Sequence, residues 1–110
     1  MTPRVTTKFW LDAYRKRLDL AGIMAFVTAR GDETAGAVLV KLNTLDGQAR
    51  LFQRSYDADF NRVWAEHVAG DEATVDASIA EQRRFDPDIW VIEVEDRAGR
   101  HLLDEEGLSS

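Results

Sequence analysis

The chain has 110 residues, no cysteine and only two prolines. Without cysteine it has no disulfide, no thiolate nucleophile and no zinc site built from thiolates. Its longest apolar run, residues 23–27, is far shorter than the roughly 20 residues that cross a bilayer. The first ten residues lack the apolar stretch of a secretory signal, so the sequence predicts a cytoplasmic location.

Positive charge is also scarce. Lysine and arginine together number 14 against 20 acidic residues, which gives a formal net charge of −6 and a pI near 4.8. An acidic chain is repelled at long range by nucleic acid and by anionic membranes, so we expect neither as a partner. The length fits one domain over residues 1–110, with an acidic tail that frays from about residue 104.

Two segments have the periodicity of an amphipathic helix. Thr6 or Thr7 can cap a first helix that runs to about Ala21 and ends before Gly22. A second helix is predicted over residues 72–84, capped by Asp71 and stopped at 86–87. The apolar contacts of the two helices are predicted to be Leu11, Tyr14, Leu18 and Ala21 in the first, and Val75, Ile79 and Phe85 in the second.

Two apolar segments in the first half predict strands. Residues 23–28 consist of the apolar run at 23–27 followed by a threonine, which is typical of a strand covered on both faces. We expect it to pair antiparallel with residues 37–44 through the loop at 30–36. Asp46 and Gly47 then predict a two-residue hairpin turn that sets Lys41 opposite Phe52.

This register assigns the hairpin side chains to two faces. The core face is predicted to contain Val40, Leu42, Ala49 and Leu51. The second face is predicted to contain Leu39, Lys41, Asn43, Arg50, Phe52 and Arg54.

Residues 60–68 fit either a helix or a strand. Phe60, Val63, Trp64 and His67 match a helical stripe, and periodicity alone favours that interpretation. We nonetheless predict a strand, because residues 56–61 make a plausible hairpin connection within a meander already under way.

The last strand is predicted at residues 89–96. Trp90, Ile92 and Val94 alternate inward, and Glu93 and Glu95 alternate outward. A turn at 97–100 is expected to lead into a short return strand at 101–103.

The predicted fold class is α+β: an N-terminal helix, an antiparallel meander sheet of four to five strands, a second helix and a C-terminal hairpin. Both helices are expected to cover one face of the sheet.

Two segments read together, RGDETAGAVLVKLNTLDGQARL at 30–51 and RRFDPDIWVIEVEDRAGRH at 83–101, resemble a family of small bacterial proteins called domain of unknown function 1491. The resemblance extends from the helix at Trp10 to His101. It implies a stand-alone α+β domain, and it implies no activity and no catalytic or binding residues.

Glu93, Glu95 and His101 are the candidates for a polar site. Two carboxylates two residues apart on a strand leave the same face roughly 7 Å apart, which suits a divalent cation or a pair of acid and base groups. The favoured alternative is that both glutamates pair with basic side chains of a neighbouring strand. We therefore predict no catalytic residue, no metal site and no cofactor.

A possible interaction surface comprises Lys41, Arg50, Phe52 and Arg54, because they place an aromatic ring among cations in an acidic protein. The favoured alternative is that Glu93 and Glu95 neutralise this face while a helix or another subunit covers Phe52.

The leading functional hypothesis is a non-enzymatic protein-interaction module or homo-oligomeric domain, with an unidentified protein or a second copy as partner. One alternative is a small hydrolase or metal-dependent enzyme that uses surface carboxylates and His101. Another is a small-ligand-binding domain with a pocket near Trp64 and Trp90.

Overall fold

A computed structural model describes residues 5–108, which form two helices and five strands. In chain order the elements are α1 (Thr7–Leu20), β1 (Met24–Ala29), β2 (Val38–Asn43), β3 (Gln48–Tyr56), β4 (Arg62–Asp71), α2 (Glu72–Phe85) and β5 (Trp90–Glu95). They confirm the predicted α+β fold class.

All five strands belong to one sheet, in the order β1-β5-β2-β3-β4. The last strand of the chain is inserted between β1 and β2, antiparallel to β1 and parallel to β2. The prediction that β1 and β2 pair directly is therefore wrong, and the sheet is mixed rather than an antiparallel meander. The physical reason is that the first half of β5, up to Ile92, is apolar and buried on both of its faces, which favours a central position.

The two helices lie on opposite faces of the sheet, not on one as predicted. One core cluster joins α1 to alternate strand residues such as Val40, Ile92 and Val94. A second joins Val75 of α2 to residues of the opposite phase, among them Leu51. A sheet with two apolar faces needs cover on both, so we name them the α1 face and the α2 face.

The β2–β3 hairpin differs from its predicted register by one residue. Lys41 stands opposite Leu51, and Val40 stands opposite Phe52. The connection has three residues rather than two, with φ of 63° at Leu45 and 87° at Gly47. The Asp46 carboxylate accepts hydrogen bonds from the Thr44 hydroxyl and the Gln48 N–H, which favours the longer loop.

This shift changes which side chains share a face. Val40, Leu42 and Phe52 contribute to the α1 face, whereas Leu39, Ala49 and Leu51 contribute to the α2 face. The predicted grouping of Val40 and Leu42 with Ala49 and Leu51 is wrong for that reason.

The ambiguous segment at 60–68 is a strand, as predicted. β4 pairs with β3 along its whole length, from Arg62 opposite Tyr56 to Asp71 opposite Gln48. The pairing skips His67, so Trp64 packs on the α1 face and Val68 on the α2 face. A bulge of this kind cannot be read from strict alternation.

Both helices begin where the sequence predicted. The Thr6 side chain accepts the N–H of Phe9, and the Asp71 side chain accepts the N–H of Thr74. Gly22 adopts the left-handed conformation after α1, with φ of 74°. Phe85 was expected to be an apolar contact of α2 but is 78% exposed, at the last residue of the helix.

The segment after β5 is a series of turns instead of the predicted return strand. Leu103 and Leu108 are buried in the α1-face cluster, and the Tyr14 hydroxyl donates to the His101 carbonyl. Leu108, within the tail that was expected to fray, also accepts a hydrogen bond at its carbonyl from the Trp64 indole. Residues 109–110, the end of the predicted tail, lie outside the described residues.

Trp90 is 3% exposed and packs with Ile92 and Val94 on the α1 face, so the predicted phase of β5 is confirmed. Among residues 5–108, no helix has the length and apolar character needed to cross a membrane.

Candidate functional site

Lys41 is buried at the centre of an ion cluster on the α2 face, and its three carboxylate partners are partly exposed. Its Nζ atom is 2.8 Å from Glu72 Oε1, 2.8 Å from Asp76 Oδ1 and 3.1 Å from Glu93 Oε1. The Asn43 amide donates to both Glu72 and Glu93. The first turns of α2 supply two of the carboxylates, and the parallel β2–β5 register sets Glu93 beside Lys41.

The carboxylates of this cluster keep the Lys41 ammonium group protonated and therefore unreactive. Burial lowers the pKa of Lys41, but hydrogen bonds to Asp76, Glu72 and Glu93 outweigh burial and raise the pKa above its ordinary value of 10.5. A nucleophilic or basic lysine needs the opposite shift. The three carboxylates surround a cation of the protein itself, and no group of acidic or histidine side chains among residues 5–108 is arranged to hold a metal ion. The cluster therefore stabilises the contact between α2 and the sheet.

The four residues of the predicted interaction surface do not share a face. Lys41 points to α2, whereas Phe52 belongs to the α1-face cluster and is buried. Arg50 extends over the Phe52 ring and pairs with Glu66. Arg54 lies over the Trp64 ring and donates to the Leu108 carbonyl. The one-residue register shift is the cause of this separation.

The second predicted group, Glu93, Glu95 and His101, is also divided. Glu93 and Glu95 lie on the α2 face. Glu93 pairs with Lys41 as the favoured alternative expected, whereas Glu95 has no ion-pair partner within residues 5–108. The His101 ring lies on the other side of the sheet, with its centroid 4.6 Å from that of Phe52. The sheet itself stands between the carboxylates and the imidazole, so the three cannot act on one substrate.

His101 instead lines an open groove of about 600 Å³ on the α1 face. The groove is formed by Phe52, Asn61, Arg62, Val63, Trp64, His101, Leu103 and Asp104. Burial lowers the pKa of the imidazole, and its Nδ1 accepts the N–H of Leu103, which leaves the proton on Nε2. Trp90 takes no part in this groove, since its indole is buried and donates to the Asp32 carbonyl. Of the two tryptophans in the ligand-binding hypothesis, Trp64 therefore lines the groove and Trp90 does not.

The most exposed apolar surface on a strand belongs to β1. This strand was predicted to be covered on both faces, but it is an edge strand that pairs only with β5. Ala25 and Val27 pack on the α1 face, whereas Met24 and Phe26 point the other way and are 61% and 45% exposed. Helix α2 leaves this end of the α2 face open.

A second groove, of about 580 Å³, runs between β1 and α1. Its walls carry charges of both signs from α1, and its floor is the start of β1. The lining residues are Asp12, Arg15, Lys16, Asp19, Gly22, Ile23, Met24 and Ala25. Arg15, Lys16 and Asp19 have no ion-pair partner within residues 5–108.

The two edges of the sheet differ in their protection against further pairing. β4, at the far edge, includes the charged side chains of Arg62, Glu66 and Asp71 and a bulge at His67. Charges and bulges are the usual features that prevent an edge strand from accepting another strand. β1 contains no charged residue, although its pairing with β5 shifts register near Thr28.

The sequence missed Met24 and Phe26 as surface residues because their exposure depends on strand order. One available signal was the uninterrupted apolar run at 89–92, which is more typical of a central strand than an edge strand.

Comparison with known proteins gives a consistent result. The model of the family "Protein of unknown function (DUF1491)" matches residues 5–104. No curated protein matches at a significant level.

Solved structures of similar proteins share the fold. A crystal structure of a DUF1491 family protein from Caulobacter crescentus CB15 is 43% identical, with a TM-score of 0.84 over 93% of this chain and 97% of that one. An NMR structure of a DUF1491 family protein from the same organism is 42% identical, with a TM-score of 0.79 over 94% and 96%. The solution structure of protein Atu0922 from A. tumefaciens is 28% identical, with a TM-score of 0.72 over 84% and 86%.

Proposed function

The chain is a member of the DUF1491 family, proteins of unknown function, and on that footing we propose that it is a non-enzymatic protein-interaction domain. It binds an extended protein segment along the open edge of β1. We place this activity in the cytoplasm, the compartment that the sequence predicts.

A single observation supports the proposal: an edge strand of six residues has no charged side chain and exposes Met24 and Phe26. The outer backbone groups of such a strand can hydrogen-bond to an added strand, and the exposed side chains supply apolar contact. Both edge strands have a register shift, but of the two only β4 carries charged side chains, which oppose pairing. The contrast favours β1 as the binding edge.

The arrangement of the polar groups favours binding over catalysis. The carboxylate of Glu93 is engaged by Lys41, and His101 lies across the sheet from it. A hydrolytic or metal-dependent reaction would need these groups on one side of a common cleft.

Affinity capture with edge variants tests the proposal. The full chain is immobilised and exposed to extract from the cells that produce it, beside Phe26→Lys and Met24→Lys. Both substitutions put a charge on an exposed strand position, where it opposes strand addition with little effect on folding. His67→Lys, an exposed change on β4, is the matched control.

We expect proteins held by the wild-type chain and by His67→Lys to be lost at least tenfold from both β1 variants. Thermal unfolding of all four proteins verifies that the variants are folded. Equal capture by the β1 variants and the wild-type chain would refute strand addition at this edge.

A further inference from the structure

The partner that the β1 edge fits best is β1 of another molecule. We propose that two copies of the chain join their β1 strands antiparallel about a two-fold axis at Phe26, which makes one continuous ten-stranded sheet. This inference rests on the proposed function, because it names the partner that occupies the same edge.

The side chains of β1 are matched to this arrangement. In an antiparallel pair centred on Phe26, Ala25 stands opposite Val27 of the second copy, and these positions precede the register shift near Thr28. The α1-face positions thus meet α1-face positions, and Phe26 meets its own symmetry mate. Directly opposite side chains have Cβ atoms about 4.5 to 5.5 Å apart, so two phenylalanine rings would come into contact.

Charge also favours a second copy over a partner of one sign. The groove beside β1 presents Arg15 and Lys16 together with Asp12 and Asp19. A strongly basic or strongly acidic segment would meet like charge there, whereas the same surface on a second copy offers both signs. Isologous contacts of this kind are the commonest in homo-oligomers.

Long-range repulsion between two chains of net charge −6 opposes the association. Because β1 itself contains no charged residue, the two pairing strands do not repel each other directly. Salt near about 0.15 M screens surface charges beyond roughly 8 Å, so the test belongs at that ionic strength.

The first measurement is the molar mass of the full chain in solution by light scattering during gel filtration, over a range of concentrations. We expect twice the monomer mass of 12.4 kDa at high concentration. Phe26→Lys and Met24→Lys should raise the dimer dissociation constant at least tenfold, and His67→Lys should leave it unchanged. A monomer at every concentration, or a dimer that both β1 variants retain, would overturn the proposal.

The second measurement uses the absence of cysteine from the chain. Phe26→Cys introduces one thiol per copy, and pairing about this position brings two thiols within disulfide reach across the axis. We expect rapid oxidation to a covalent dimer, and no covalent dimer from the control His67→Cys under the same conditions. Equal cross-linking of the two variants, or none with Phe26→Cys, would overturn the pairing about Phe26.

These outcomes are separable from those of the capture experiment. If the chain is monomeric while its β1 variants still lose captured proteins, the self-pairing is wrong and strand addition stands. If the β1 variants change neither the molar mass nor the captured proteins, both proposals fail.

Discussion

Replacement of Lys41 by methionine removes the cation from the ion cluster beneath α2 and keeps a side chain of similar length. Three carboxylates, those of Glu72, Asp76 and Glu93, then face one another without their shared donor. We expect this variant to be destabilised, because the loss of the shared cation leaves three neighbouring carboxylates, one of them mostly buried, uncompensated.

The exposure of the carboxylates determines how much stability Lys41→Met loses. Loss of one member of a fully buried ion pair costs about 3 to 5 kcal/mol. The Glu72 and Asp76 side chains are 42% and 55% exposed, so water can solvate part of the freed charge, whereas Glu93 is 19% exposed. We therefore expect Lys41→Met to lower the free energy of unfolding by about 2 to 4 kcal/mol, a large share of a typical domain stability of about 5 to 15 kcal/mol.

Urea unfolding followed by tryptophan fluorescence measures this change. The matched control is Lys8→Met, which removes a lysine from an exposed i,i+4 pair with Asp12 and should cost at most about 0.5 kcal/mol. Asp76→Asn added to Lys41→Met should restore part of the lost stability, since one of the three carboxylates is gone. A loss from Lys41→Met no greater than that of the control would refute the stabilising role of the cluster.

Three further predictions concern the core and the pH dependence. Trp90→Ala should cost about 3 to 5 kcal/mol in urea unfolding, since the side chain is 3% exposed, and a loss below about 1 kcal/mol would contradict its place in the core. Gly31→Ala should cost about 1 to 3 kcal/mol, because a Cβ atom there would lie 2.0 Å from the Asp88 carbonyl oxygen, and a neutral result in the same assay would exclude that close approach. Burial raises the pKa of Tyr14 above its ordinary value of 10.0, so its contribution is complete below pH 10.0 and is lost as pH rises toward the folded-state value. Stability measured against pH should therefore fall above about pH 10, and the fall should be smaller in Tyr14→Phe; an equal fall in both would contradict the prediction.

Local features of the fold could be predicted from the sequence because local chemistry determines them. Thr6 and Asp71 cap their helices, and Trp90 occupies the inward phase of its strand, as the pattern indicated. A strand was predicted at 60–68 against the helical periodicity of that segment, because the hairpin connection before it favoured a strand, and β4 spans Arg62–Asp71.

Features that depend on non-local pairing could not be predicted in the same way. The register of β2 and β3 depended on whether Leu45 joins Asp46 and Gly47 in the loop, and one extra loop residue moved Lys41 to the opposite face from Arg50. A two-residue and a three-residue connection are both compatible with this sequence. The predicted interaction surface depended on the two-residue loop, so its residues do not share a face in the structure.

The position of β5 had the largest effect on the functional interpretation. When β1 is assumed to pair with β2, its apolar residues are assigned to the core and the sheet edge falls elsewhere. Insertion of β5 between them makes β1 the edge, so that Met24 and Phe26 become surface residues with free backbone groups beside them. The same apolar run that indicates a buried strand from sequence thus becomes, at an edge, the segment best suited to accept another strand. For this reason, the interaction role that we propose rests on the strand order rather than on a catalytic motif.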